Sequence, residues 1–311
     1  MASAAAAGKP RRTSSLKTKE AITGYLFILP WIIGFLVFTA GPMLFSLYAS
    51  FTNYDVTSQF DWVGLRNYKR MFFDDPLYWK SMGNTLYFAV FAVPIGILVG
   101  ATSAVLLNAE VPFQKMWRTI FFLPKVLTGV SVIMLWLWVF NPQDGILNNG
   151  LRAIGIDNVP LWFASPEWSK PALIIMSAWS ATGGILIYLA GLQAIPKQLY
   201  EAAEIDGASM VRQFTAITLP LLSSTIFFKL ITGINGAMQY WANALIVTNP
   251  PGSPSNSTLF NGLHIYKQAF LESKMGYASA MAWVMFAITM VITAIQFWGS
   301  KRWVYYEGER R

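Results

Sequence analysis

Long apolar stretches separated by shorter polar segments dominate the pattern of this chain. A transmembrane helix needs roughly 20 consecutive, mostly apolar residues, and six stretches reach that length. They run over residues 22–51, 85–107, 119–140, 172–195, 219–247 and 278–298. The pattern predicts an all-α membrane protein with six transmembrane helices, which we number spans one to six. Spans one and five exceed the minimum length, so we expect tilt or kinks, with Pro30 and Pro42 as candidates in span one.

The polar segments contain no domain boundary. Residues 20–303 are predicted to form a single transmembrane domain, flanked by a basic, disordered tail over residues 1–19 and a short tail over 304–311. We do not expect residues 1–19 to be a signal peptide, because the following apolar run is too long and no small-residue cleavage site ends it.

Lysine and arginine residues predict the orientation. An even number of spans puts both termini on one side, together with the loops after spans two and four. These segments carry thirteen Lys and Arg residues, against eight in the other three loops. Cytoplasmic segments of membrane proteins are enriched in Lys and Arg, so both termini are predicted to be cytoplasmic.

Composition supports a membrane protein and excludes several other classes. Charged residues make up 12% of the chain, about half the usual share of a soluble domain, roughly 25%. The absence of cysteine excludes disulfides and thiolate sites. The net charge of +8 comes largely from residues that flank apolar spans, so we interpret it as an orientation signal and expect no nucleic-acid partner.

The predicted cytoplasmic loop over residues 196–220 has the clearest local pattern. Pro196 suits the start of a helix and Gly207 suits its end, which predicts a short helix over residues 197–206. Ser209 can cap a second helix that leads to Pro220 and span five. The loop should therefore be a rigid helix–turn–helix at the membrane surface.

The side chains of this loop are suited to a protein partner. The small Ala202 and Ala203 would let a partner's backbone approach, while Glu201, Glu204 and Asp206 would contact basic side chains.

The same loop resembles a signature of one protein family. Permease subunits of binding-protein-dependent ATP-binding-cassette (ABC) importers carry Glu-Ala-Ala, three residues, Gly, nine residues and Ile-x-Leu-Pro. Every position matches: Glu201, Ala202, Ala203, Gly207, Ile217, Leu219 and Pro220. The resemblance implies that this segment is the coupling helix that docks on the ATPase subunit.

Further segments resemble the maltose-type, carbohydrate branch of that family. They are residues 62–68, 84–85, 191–196, 248–252, 266–270 and 276–280. Pro250-Pro251 departs from the branch, where Gly-Gly is frequent, and the large extra outer domain of the maltose subunit is absent. The resemblance implies the type I ABC importer permease fold and a sugar or oligosaccharide as substrate.

The resemblance also implies the rest of the assembly. A second permease, expected to be a different chain, two ATPase subunits and an extracytoplasmic solute-binding protein would join this subunit in the lipid of a prokaryotic inner membrane. The chain has no GxxxxGK[ST] sequence, so ATP and Mg²⁺ are expected on the ATPase. We expect a transport subunit with no cofactor, no metal and no catalytic residues of its own.

Polar residues within span five are candidates for the substrate pathway. Asn235, Gln239 and Asn243 are spaced four apart, beside Tyr240, and would share one face of a helix. Amides in lipid require partners, so this face should meet protein or water. Either it lines the sugar pathway or its amides hydrogen-bond to a neighbouring helix.

Span four offers a matching face with small residues. Its members are Ser177, Ser180, Gly184 and Tyr188, with Trp179 and Thr182 adjacent. Small residues at helical spacing favour close helix packing. The alternative is that this face, through Trp179 and Ser180, lines the cavity, as the fourth span does in the family that the chain resembles.

Two lysines lie within the spans. Lys125 is near enough to the predicted cytoplasmic end of span three to extend to the interface, but Lys229 lies roughly 14 Å into the membrane at about 1.5 Å per residue. One hypothesis is that Lys229, with Lys125, favours an acidic sugar such as a uronate oligomer. The other is that Lys229 pairs with the partner subunit or with backbone carbonyls.

Three other classes of protein fit the sequence less well. An intramembrane enzyme would need an acid–base pair, a nucleophile or metal ligands, yet the predicted spans hold no Asp or Glu and the single histidine, His264, lies in an outer loop. A purely structural protein would not need the polar face of span five. A permease for a peptide or another non-sugar solute shares the coupling motif and is the main alternative.

Overall fold

The computed structural model describes residues 14–55, 60–109, 112–127 and 129–305. Within these ranges the protein is helical, and its one β-type contact is an isolated antiparallel bridge between Thr52 and Trp62. The α-helices are α1 Ser14–Phe35, α2 Gly41–Ala49, α3 Arg66–Lys69, α4 Pro76–Asn108, α5 Gln114–Val126, α6 Gly129–Val139, α7 Ile146–Ala153, α8 Ser169–Ala181, α9 Ile185–Gln193, α10 Lys197–Ile205, α11 Met210–Gln213, α12 Leu219–Met238, α13 Ala242–Val247, α14 Asn261–Tyr266 and α15 Met275–Ser300.

The predicted number of spans agrees with these helices. By length and composition, five described segments can cross a membrane, or six if the bent pair α5–α6 is one span. The five are Thr18–Ala49, Pro76–Asn108, Ser169–Gln193, Met210–Met238 and Met275–Ser300. Helix α1 begins inside the predicted 1–19 tail, while residues 1–13 and 306–311 of the two tails lie outside the described residues.

Three predicted spans are not regular helices. Span three was predicted as one helix, but α5 and α6 meet at 103°; Pro124 lacks a backbone donor near the end of α5 and weakens its last turn. In span five, helix α12 ends at Met238, before the short helix α13. In span one, the π-helical turn Leu36–Ala40 precedes Pro42, so the predicted irregularity occurs there.

Helix α4 lies at the centre of the fold and packs against α8, α9 and α12. The two ends of these helices form two faces of the molecule. One face, which we call the coupling-loop face, holds α10, α11 and the C-terminal segment. In that segment the Tyr305 amide donates to Ser223 Oγ (2.9 Å). The opposite face holds the three long loops, joined to the spans by contacts such as Ser169 Oγ to Ser257 Oγ (2.7 Å).

Two asparagines from the segments that resemble the carbohydrate branch hold the loops of the opposite face. Asn67 Nδ2 donates to the carbonyls of Ser50 (2.9 Å) and Thr52 (2.8 Å). Asn84 Nδ2 donates to the carbonyls of Asn256 (2.9 Å) and Leu259 (3.0 Å). Because buried amides need partners, these bonds fix the loops rigidly on the ends of the spans.

Candidate functional site

The coupling loop has the geometry that its sequence predicts. Helix α10 ends at Ile205, one residue before the predicted end. Gly207 has φ +71°, a left-handed conformation that glycine adopts without strain, and the Ala208 amide bonds back to the Ala203 carbonyl (2.8 Å). Ser209 Oγ caps α11 by accepting from the Arg212 amide (3.4 Å).

Side chains tie this loop firmly to the spans. Tyr200 Oη lies 2.9 Å from Thr218 Oγ1, so α10 is bonded to the turn that precedes α12. Tyr200 also packs on a hydrophobic cluster built from spans two, four and five. Gln213 Nε2 donates to the Ala208 carbonyl (3.2 Å). A displacement of α10 must therefore move the ends of spans four and five.

The outward surface of the loop combines acidic and apolar side chains. Glu201, Glu204 and Asp206 are exposed, as are Ala202 and Gly207, whereas Ala203 is half-buried. None of the three carboxylates forms an ion pair with another residue of the described chain. The neighbouring apolar residues with the highest exposed fractions are Ile205 at 87%, Met210 at 85% and Val211 at 73%. Such an apolar patch with an acidic rim is typical of a protein-binding surface.

A cavity of about 360 Å³ lies between spans two, four and five. Span five contributes Lys229, Thr232, Gly233, Gly236, Ala237 and Tyr240; span four contributes Ser177 and Ala181; span two contributes Phe88, Ala92, Val93, Gly96 and Ile97. The wall is mostly apolar, with a few polar groups that could orient a ligand.

Of the four residues predicted to form the polar face of span five, only Tyr240 lines the cavity. Tyr240 lines the cavity and stacks on Phe88, with 4.2 Å between ring centroids. Asn235, Gln239 and Asn243 do not line it, and Asn235 Nδ2 donates to the Ile231 carbonyl (3.0 Å). The prediction of one continuous face was wrong, because α12 ends at Met238 and the backbone changes direction before Asn243.

In span four, the two named candidates lie outside the cavity wall. Trp179 packs edge-to-face on Trp136, with 5.8 Å between ring centroids, and Ser180 Oγ donates to the Met176 carbonyl (3.1 Å). Tyr188 is fully buried against Gly100, where an added Cβ would lie 2.8 Å from the ring. The packing alternative therefore fits these residues better, while Ser177 and Ala181 form the wall.

Lys229 is half-buried in the cavity wall and has no carboxylate partner among the described residues. Its Nζ lies 6.0 Å from the Tyr188 ring centroid and would be 2.8 Å from a Cβ at Gly184. Lys125 packs on the preceding Gly183 with its Cβ and backbone atoms, and a Cβ at Gly183 would lie 2.9 Å from its Cβ. Adjacent glycines of span four thus make room for both lysines.

The wall contributed by span two was missed in the sequence. Phe88, Ala92 and Gly96 are four residues apart, which places them on one face of α4. This spacing was a usable signal, but the residues are apolar or small and resemble ordinary core positions.

On the opposite face, Asp75 joins three segments. Its Oδ1 caps α4 by accepting from the Leu77 amide (2.9 Å), and its Oδ2 accepts from Tyr277 Oη (2.6 Å) at the start of span six. His264 Nε2 lies 3.6 Å from the same oxygen. Burial lowers the pKa of His264, an effect that the Asp75 charge only partly opposes, so the imidazole is neutral near pH 7.

Comparison with known proteins agrees with this architecture. Residues 92–305 match the family described as binding-protein-dependent transport system inner membrane component. A probable ABC transporter permease of Bacillus subtilis, YesP, is 41% identical over 94% of both chains. The lactose transport permease LacF of Rhizobium radiobacter is 35% identical over 93% of this chain and 97% of that one.

A solved structure is similar over almost the same length. A chain of a bacterial ABC transporter that imports the acidic polysaccharide alginate matches with a TM-score of 0.80 and 26% identity, covering 92% of this chain and 97% of that chain. The chain therefore belongs to the family of inner-membrane permease components of binding-protein-dependent ABC transport systems.

Proposed function

We propose that this chain is one permease subunit of an ATP-driven importer for a sugar or oligosaccharide. The observation that carries the proposal is the coupling loop, a complete family motif held as a rigid, exposed helix at the ends of spans four and five. The sugar class is supported by similarity to a lactose permease and to an alginate importer.

The proposed mechanism is mechanical. A pair of ATPase subunits, which hold ATP and Mg²⁺, closes on nucleotide and displaces residues 201–207 on the cytoplasmic side. Because α10 is bonded to the turn before α12, spans four and five move with it. The cavity then opens outward, receives sugar from an extracytoplasmic binding protein and releases it inward. A second permease, a different chain, completes the pathway.

The cavity also favours a particular kind of sugar. An amine that is half-buried without a counter-ion is costly, and Lys229 meets no carboxylate among the described residues. A carboxylate or sulfonate on the substrate would supply that partner. We therefore extend the proposal to anionic oligosaccharides.

The test is ATP-dependent uptake by the whole importer in proteoliposomes with its binding protein. Neutral trisaccharides, uronate trisaccharides and tripeptides of similar size are compared. Uptake of either sugar class, dependent on ATP and on the binding protein, is the expected result. Uptake of tripeptides alone would contradict the sugar class and support the non-sugar alternative.

A further inference from the structure

A second pair of lysines lies at the opposite end of the helices that form the cavity. Lys80 is on the first turns of α4, and Lys170 is on the first turn of α8. Lys80 Nζ donates to the Ser255 carbonyl (2.7 Å) and Lys170 Nζ donates to Asn84 Oδ1 (3.1 Å). Lys170 also sits over the Tyr87 ring, 5.1 Å from its centroid.

Both lysines are held by neutral acceptors and keep their charge uncompensated. Neither forms an ion pair within the described chain, and this includes Glu167, three residues before Lys170. Both lysines bond to one region, since Lys80 donates to Ser255 and Lys170 donates to Asn84, which itself donates to the adjacent Asn256. Two positive charges held close together destabilise each other unless an anion binds between them. This arrangement therefore favours the binding of an anionic ligand.

The same arrangement recurs at the inner end of the cavity. There Lys125 and Lys229 contact Gly183 and Gly184, which are adjacent in span four. Span four gives the separation of the two pairs. Lys170 and Gly184, which contacts Lys229, are fourteen residues apart, or roughly 21 Å at about 1.5 Å per residue.

Helix faces lead from Lys80 and Lys170 to the cavity. On α4, Lys80, Asn84 and Phe88 follow at intervals of four residues, and Phe88 lines the cavity. On span four, Lys170, Ser177, Ala181 and Gly184 follow at intervals of seven, four and three, and the middle two line it. Both spacings keep residues on one face of a helix.

We propose that Lys80 and Lys170 form an entry subsite for the anionic group of an acidic oligosaccharide, from which the first turns of span two and one face of span four lead to Lys229. The inference rests on the proposed function and adds a place where the charged group is first held. Asn84 positions Lys170, and Tyr87, which is partly exposed, offers a surface for the sugar ring.

The experiment uses trigalacturonate and its carboxyl-reduced counterpart, which differ only in charge. Equilibrium binding of each is measured by calorimetry on the full transport complex in nanodiscs, with a non-hydrolysable ATP analogue and without the binding protein. Lys170→Met is expected to weaken trigalacturonate binding about tenfold, the loss typical of one hydrogen bond to a charged group. Binding of the reduced trimer should not change, and Lys170→Arg should retain most of the affinity.

Lys69→Met is the matched control, because Lys69 is exposed on the same face and outside both helix faces. It should leave the binding of both trimers unchanged. Equal loss of both trimers in Lys170→Met, or unaltered trigalacturonate binding, would overturn the entry subsite. Failure of every sugar in the proteoliposome assay would instead overturn the proposed function, so the two failures are distinguishable.

Discussion

Gly276, a single residue, controls how closely spans one and six approach on the opposite face. Its amide donates to the Tyr54 carbonyl (2.8 Å), and an added Cβ would collide with the carbonyl oxygen of Thr52 and lie 3.0 Å from that of Ala49. Backbone atoms cannot move aside cheaply. Gly276→Ala should therefore destabilise the fold by about 1–3 kcal/mol and lower the thermal unfolding midpoint of the purified protein.

Gly83→Ala is the control for that substitution. Gly83 also lies near the start of a span helix, but an added Cβ at this position would have no atom within 4 Å. Alanine in an open helical position is neutral or stabilising. An unfolding midpoint for Gly276→Ala equal to that of Gly83→Ala would contradict the close contact.

His264 should make stability depend on pH. Its folded-state pKa is lowered, first by burial and then by Lys267 and Arg70, against the opposing effect of Asp75 and Glu272. The unfolded chain, with a His pKa of about 6.5, binds the proton more readily than the folded one. Stability is therefore full above about pH 6.5 and declines as the pH falls below it.

The measurement is the thermal unfolding midpoint between pH 7.5 and about pH 5, in the wild type and in His264→Gln. We expect a smaller decline in the variant, which cannot take up that proton. Parallel curves for the two proteins would show that His264 does not titrate differently in the folded state.

At the scale of an element, substitutions in the coupling helix should abolish transport without preventing folding. Gly207→Pro is incompatible with φ +71° and removes the amide that bonds to Glu204. Glu201→Lys reverses a charge on the outward surface of α10. Both variants should insert into the membrane normally but reduce uptake to background, measured in cells that carry the complete importer.

Matched controls exist on the opposite face. Gly155 also has a positive φ, +88°, with no atom within 4 Å of an added Cβ, and Glu167 is an exposed acid that forms no ion pair among the described residues. Gly155→Pro and Glu167→Lys should retain most of the uptake. Normal uptake by Gly207→Pro and Glu201→Lys would contradict the proposed coupling role of this loop.

Helices whose ends are marked by particular residues were predicted more accurately than spans whose backbone bends within an apolar stretch. Helix α10 was found within one residue, because Pro196 and Gly207 mark its ends through their own backbone preferences. The breaks after Val126 and Met238 were missed. Hydrophobicity continues across both breaks, so an apolar pattern cannot report a change in backbone direction.

At the scale of the whole molecule, the first half of span one is exposed among the described residues. No residue in the most apolar window of the segment Thr18–Ala49 is buried. Gly24, Phe27, Trp31 and Gly34 share one face of α1, and nothing lies within 4 Å of a Cβ added at either glycine. Small residues on a membrane helix favour close packing with another helix, which agrees with the proposed second permease.

A photo-crosslinker tests this contact in the assembled importer. Benzoylphenylalanine at Phe27, a residue that is 83% exposed in this chain, should crosslink to the second permease subunit. The same probe at Tyr25, which is 68% exposed and lies on the other side of α1, should label lipid. Lipid labelling at both positions would contradict the helix contact.

The sequence by itself determined the number of spans, the coupling helix with its two end residues, and the family, because each depends on local composition or on a contiguous motif. Only the tertiary structure decided which residues line the cavity. Asn235 and Gln239 were excluded and Phe88 was included by where α12 ends and by how α4 packs on it. Those contacts join residues far apart in the chain, and no spacing along one helix encodes them.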